Sequence, residues 1–94
     1  MKARLLLDER QLLAPDAFVA LRIWQVPRNV RGSAHDYKYS LAYVVNGVCL
    51  LRYDNEAGKG DHRHFADREV PYRFTTAAQL LADFWEDVDQ CRAH

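Results

Sequence analysis

The chain has 94 residues, 49% hydrophobic and 28% charged, with thirteen basic residues balancing thirteen acidic ones. This composition is globular rather than disordered, and the length suits one domain, residues 1–94, that folds without disulfide or metal staples. A net charge of zero excludes recruitment to nucleic acid or membrane by bulk charge, so attraction to phosphates must come from local clustering.

Met1-Lys2-Ala3-Arg4-Leu5-Leu6-Leu7 starts basic, but Asp8-Glu9-Arg10 cuts its apolar part short, so it is not read as a signal peptide. No apolar run approaches the roughly 20 residues of a membrane span. Cys49 and Cys91 have no metal-ligand spacing and are expected to be reduced, small core residues of a cytoplasmic protein.

From Ala3 to Leu13 the leucines slip phase around Asp8-Glu9-Arg10, which predicts a strand with a bulge. Ala14-Pro15-Asp16 has turn chemistry, with proline pre-set for its first central position. Ala17 to Val26 alternates as a strand, with Val19, Leu21 and Ile23 on one face and Phe18, Ala20, Arg22 and Trp24 on the other. Pro27 ends it, and the basic loop Arg28-Asn29-Val30-Arg31-Gly32-Ser33 is expected to be mobile.

Two further strands flank Asn46-Gly47, a strong hairpin signal because both turn positions take positive φ. A two-residue turn predicts that Val45 pairs Val48, Tyr43 pairs Leu50, Leu41 pairs Arg52 and Tyr39 pairs Asp54. This register delivers Tyr37, Lys38, Tyr39, Tyr53, Asp54 and Asn55 to the rim far from the turn. Glu56 to Gly60 reads as a loop, Asp61 to Phe65 as a short strand, and Val70 to Phe74 as an edge strand or extended lead-in.

Thr76-Ala77-Ala78-Gln79 has capping-box spacing and opens a helix to about Cys91. Ala77, Leu80, Leu81, Phe84, Val88 and Cys91 form its apolar stripe, with Glu86, Asp87, Asp89 and Gln90 expected to face out. The fold class is α+β: a meander over residues 3–74, an antiparallel sheet of about four to six strands, with one C-terminal helix packed on a face.

The stretch Tyr53-Asp54-Asn55-Glu56-Ala57-Gly58-Lys59-Gly60-Asp61-His62-Arg63-His64 carries nine polar or charged residues among twelve. A polar segment held between strands is a natural place for function, and equally fits a solvated hairpin loop. At i and i+2 in extended backbone, His62 and His64 point to one side, and an unperturbed histidine titrates near 6.5. Such a pair can flank a phosphodiester as general base and acid, with Lys59 stabilising the charge on the phosphate. Gly58 and Gly60 let backbone amides approach an anion closely.

These are the parts of a metal-independent ribonuclease that needs no cofactor and uses the substrate's 2′-hydroxyl as nucleophile. Candidate RNA-binding residues are Tyr53, Tyr39, Lys38 and Arg63, with Asp54, Asn55 and Asp61 alongside; for Asp54 and Asn55, bonding the loop backbone is the favoured role over catalysis. Two alternatives stay open: a metal-dependent hydrolase, with His62, His64 and Asp61 or Asp54 as ligands, and a non-catalytic binding module.

Tyr37-Lys38-Tyr39-Ser40-Leu41, Asn46-Gly47, Leu51-Arg52-Tyr53-Asp54-Asn55-Glu56, Gly58-Lys59-Gly60-Asp61-His62-Arg63-His64, Pro71-Tyr72-Arg73-Phe74 and Asp83-Phe84 together resemble the TumE-like family over nearly the whole chain. Those are small prokaryotic proteins regarded as toxins of toxin–antitoxin pairs. The resemblance implies a growth-inhibiting cytoplasmic toxin with a cognate DNA-binding antitoxin of helix-turn-helix type. It implies no catalytic assignment, so the ribonuclease chemistry rests on the residues and on analogy with other small toxins that cut RNA. Dimerisation, or strand pairing with the antitoxin at an exposed sheet edge, is the association expected.

Overall fold

The computed structural model describes residues 2–93, so Met1, the start of the N-terminal segment read above, lies outside the described residues. Six strands, β1 (Arg4–Ala14), β2 (Ala17–Gln25), β3 (Tyr37–Val45), β4 (Val48–Glu56), β5 (Gly60–Phe65) and β6 (Arg68–Pro71), form one antiparallel sheet in sequence order. A single helix, α1 (Ala77–Arg92), packs on one face, giving the expected α+β architecture.

The buried face follows the alternation read in β2: Val19, Leu21 and Ile23 point in, beside Tyr39, Leu41 and Tyr43 of β3 and Leu51 and Tyr53 of β4. Leu80, Phe84 and Val88 of α1, all fully buried, close this core, with Leu81, Trp85 and Cys91 packed at its margin. Thr76 caps the helix, its hydroxyl accepting from the Gln79 amide at 3.0 Å. The box is half made, because the Gln79 side chain donates forward to Asp83 at 2.8 Å.

The hairpin register differs from the expected one. Val45 pairs Val48 and Val44 pairs Cys49, but a bulge at Leu50 then sets Tyr43 against Leu51, Ala42 against Arg52, Leu41 against Tyr53 and Ser40 against Asp54. Without the bulge, Arg52 would face Leu41 in the core. One extra residue turns Leu51 and Tyr53 inward and Arg52 outward. In β1 the phase slips occur at Leu6 and Leu13, on either side of the charged run rather than within it.

Three further expectations are corrected. Cys49 is exposed, on the outward row beside the hairpin turn, and Cys91 is half-buried; both are free. Asp87 faces the sheet instead of solvent, its carboxylate 3.0 Å from Arg63 Nη1. The 28–33 loop is docked instead of mobile: Arg31 O accepts from the Gly58 amide at 2.6 Å, and Ser33 bonds Asp61.

The other face of the sheet is covered by no element among the described residues, and the register sorts it into rows. Arg22, Ser40, Asp54 and His62 form one row across β2 to β5; Ala20, Ala42, Arg52 and His64 form the next. Phe84→Ala is expected to lose about 3–5 kcal/mol of stability, as large-to-small changes of a buried aromatic do. Leu12→Ala, at a side chain 73% exposed, should stay within about 0.5 kcal/mol. Urea unfolding midpoints at constant slope check both.

Candidate functional site

The Tyr53–His64 stretch is the β4–β5 hairpin, and its alternation divides it between the two faces of the sheet. Pairing Tyr53 with Arg63 and Asn55 with Asp61 puts these four on the helix side. Pairing Asp54 with His62 and Arg52 with His64 puts those four on the uncovered side. The expected site residues therefore fall into two groups.

The inward group builds a buried polar knot. Asp61, its side chain 8% exposed, accepts from Ser33 Oγ, from His35 Nε2 at 2.6 Å and from the Tyr39 hydroxyl at 2.6 Å. His35 Nδ1 accepts from the Tyr37 amide at 3.2 Å, so Nε2 carries the proton that it donates to Asp61. Phe74 stacks on the His35 ring with centroids 3.8 Å apart. Asn55 is fully enclosed: Oδ1 accepts from the Tyr39 amide at 3.0 Å, and Nδ2 donates to Tyr37 O at 2.7 Å and Ser33 Oγ at 3.3 Å.

The glycines serve the same knot. A Cβ on Gly32 would lie 2.8 Å from Gly60 N, and one on Gly60 would lie 2.8 Å from Gly32 O, while both residues hold positive φ. Gly32 and Gly60 thus let two stretches of backbone approach each other, and the Gly58 amide donates to Arg31 O beside them. Ser33, His35 and Gly32 are the members that the sequence did not single out. Their only local signal is a Gly-Ser pair near a histidine; what joins them to Asp61 is long-range.

Toward the helix, Tyr53 donates to Asp87, which also accepts from Arg63, and Tyr72 donates to Asp83 at 2.6 Å. Burial first, and then the carboxylate each hydroxyl donates to, push the phenols of Tyr39, Tyr53 and Tyr72 far above their ordinary value; Arg63 partly opposes this at Tyr53.

The outward group is graded in exposure: Arg52 is exposed, His64 half-exposed, and the side chains of His62 and Asp54 are mostly covered. His62 Nδ1 lies 3.1 Å from Gly60 O, and its Nε2 lies 3.7 Å from Glu69. His64 Nδ1 lies 3.9 Å from the other oxygen of Glu69, and its Nε2 lies 3.6 Å from Asp54. Both imidazoles therefore border one carboxylate, with Arg52 directly across the strand from His64. Lys59, 59% exposed in the turn, joins His62 in lining a cleft of about 500 Å³ with Tyr72, Arg73 and Phe74. Lys38 is exposed on the same face, further across the sheet. Of the expected residues, the register puts His62, His64, Asp54 and Lys38 on the uncovered face; Lys59, at the end of the sheet, shares its cleft with His62 and Asp61, while Tyr39, Tyr53, Asn55 and Arg63 lie on the helix side.

Among the described residues, no group of three or more His, Cys, Asp or Glu side chains is arranged to hold a metal ion, and no helix is long and apolar enough to cross a membrane. A family model described as toxin TumE matches residues 2–92. No curated protein and no solved structure matches the chain.

The phenols give a pH dependence of stability. Their folded-state pKa values are raised, so the stability they contribute is complete below the ordinary phenol value near 10 and is lost as pH rises above it. In an alkaline titration followed by phenolate absorbance, Tyr39, Tyr53 and Tyr72 should ionise only together with unfolding seen by circular dichroism. Ionisation of these three, mapped by single Tyr→Phe variants, ahead of unfolding would contradict the knot.

Proposed function

The chain belongs to the TumE toxin family, and from this we propose that it is the toxin of a toxin–antitoxin pair and acts as a metal-independent endoribonuclease. The observation that carries the proposal is the placing of His62 and His64 on one uncovered face, bordering the same Glu69 carboxylate, with Arg52 opposite His64. One imidazole takes the proton of a 2′-hydroxyl while the other stands ready to give one.

In the proposed step the 2′-oxygen of RNA attacks the adjacent phosphorus. His62 removes its proton, the bond to the departing 5′-oxygen breaks, and His64 protonates that oxygen. The products are a 2′,3′-cyclic phosphate and a 5′-hydroxyl. Lys59, exposed on the turn 4.0 Å from Glu56, and Arg52 stabilise the charge on the phosphoryl oxygens. Lys38 and Asp54 meet the RNA at the surface. Tyr39, Tyr53, Asn55, Asp61 and Arg63 act from inside, holding the β4–β5 hairpin and the 28–33 loop in place.

A helix-turn-helix antitoxin is the proposed partner, and β1 is the surface it is proposed to engage. This strand is an edge eleven residues long, with Leu5, Leu6 and Leu12 exposed, and such an edge accepts an added strand from a partner or from a second copy of the chain.

His62→Ala and His64→Ala are each expected to lower cleavage of total RNA at least 100-fold and to abolish growth arrest, with unfolding curves unchanged. Fragments from the wild type should end in a cyclic phosphate. Full toxicity of the double variant would end the proposal. Separately, Leu6→Lys with Leu12→Lys should release the antitoxin in a pull-down while cleavage persists; unchanged capture would move the interface elsewhere.

A further inference from the structure

The uncovered face contains a cleft of about 310 Å³ that reaches the histidines at one wall, through Asp54. Its walls are Arg22, Trp24, Lys38, Ser40, Asp54 and Glu56, drawn from β2, β3 and β4. Trp24 stands directly across from Lys38 in the register and is half-buried, on the face of β2 that no helix covers. The row that joins the cleft to the catalytic strand is continuous: Arg22, Ser40, Asp54, His62. From β2 to β5 is three strand spacings, about 14 Å.

The chemistry of the walls is mixed in a particular way. Arg22 is 3.5 Å from Asp8, which leaves Lys38, along with Arg52 and Arg10 further down the face, without an ion pair among the described residues. Asp54 and Glu56 make the interior of the cleft unfavourable for a phosphate, while a base with N–H donors suits two carboxylates and a serine hydroxyl. An indole beside a cation is the arrangement that holds an unpaired base: the ring stacks and the cation meets the flanking phosphate. Elsewhere on this face, Arg10 already lies 3.8 Å over the Phe18 ring, whereas Trp24 borders the polar cleft itself.

We propose that single-stranded RNA lies across the strands of the uncovered face, with one unpaired base stacked on Trp24 and its Watson–Crick edge donating to Asp54 and Glu56. Guanine fits best, since its adjacent N1–H and N2–H groups match a carboxylate, whereas uracil turns two carbonyl oxygens toward it. Lys38 and Arg52 meet the phosphates between this base and the scissile bond at His62 and His64. The inference rests on the ribonuclease proposal for the direction of the strand, but base stacking is measurable without cleavage. Duplex RNA is excluded, because its bases are paired and cannot enter.

The test uses the full chain with Trp85→Phe, so that Trp24 is the only tryptophan. It is titrated with short deoxythymidine strands, which lack the 2′-hydroxyl and cannot be cut, with and without one central deoxyguanosine. The expected result is quenching of Trp24 fluorescence, at least tenfold tighter for the guanine-containing strand, and none by the same strand annealed to its complement. By anisotropy of labelled strands in the otherwise unchanged chain, Trp24→Ala should weaken binding about tenfold and Trp24→Phe should restore most of it. Absence of quenching, equal binding of duplex, or equal affinity of Trp24→Ala would overturn the inference. The two proposals fail separately: RNA cleavage with unchanged KM in Trp24→Ala removes the base site and leaves the ribonuclease, whereas guanine-dependent quenching without cleavage by any form removes the ribonuclease and leaves the base site.

Discussion

The Asp61 carboxylate is the contact on which the β4–β5 end of the molecule depends. It gathers a serine and a histidine from the 28–36 connection and a tyrosine from β3, and its own carbonyl accepts from the Tyr72 amide at 3.0 Å. Three stretches of chain, around residues 33–39, 61 and 72, meet at this residue. A buried carboxylate with several donors is stable, and removing it would leave those donors unsatisfied in a low-dielectric site. The turn that carries Lys59 and the strand that carries His62 and His64 are positioned as a result.

The sheet consequently works as a two-sided plate. One side is fixed by hydrocarbon packing under α1 and by a polar lock in which Asp83 and Asp87, one helical turn apart, receive Tyr72, Tyr53 and Arg63. The other side has no covering element among the described residues, and Asp54, His62 and His64 stand there on a rigid support. Alternation along β5 alone decides which residue serves which side, so Arg63 and the two histidines that flank it never share a face.

Much of this architecture was legible from pattern. The Val19, Leu21, Ile23 alternation, the Asn46-Gly47 turn and the Thr76 cap are local signals, and each element formed where its signal lay. The Leu50 bulge was legible only on asking which register keeps Arg52 out of the core. Asp87 could not be assigned from helix periodicity, because it sits beside the apolar stripe and faces inward to meet Tyr53 and Arg63, which are far away in sequence. The docking of Gly32, Ser33 and His35 had no local signal at all; two glycines, a serine and a histidine gain meaning only when the β4–β5 turn lies against them. The composition of the site motif was visible, but its division between two faces required the register.

The sequential order of the strands has a kinetic consequence. Every strand pair is a hairpin or a connection between neighbours in sequence, so the sheet can grow by adding one strand at a time with small loop-closure cost. The Asp61 knot and the seating of α1 are the long-range events: one joins residues 26 and 28 positions apart, and the other joins Tyr53 to a helix 34 positions downstream. The plate can therefore assemble early, while the contacts of Tyr53 and Arg63 with Asp87 form only when the sixteen-residue helix has folded and docked. The lock between sheet and helix is in this sense among the last contacts of the fold to form.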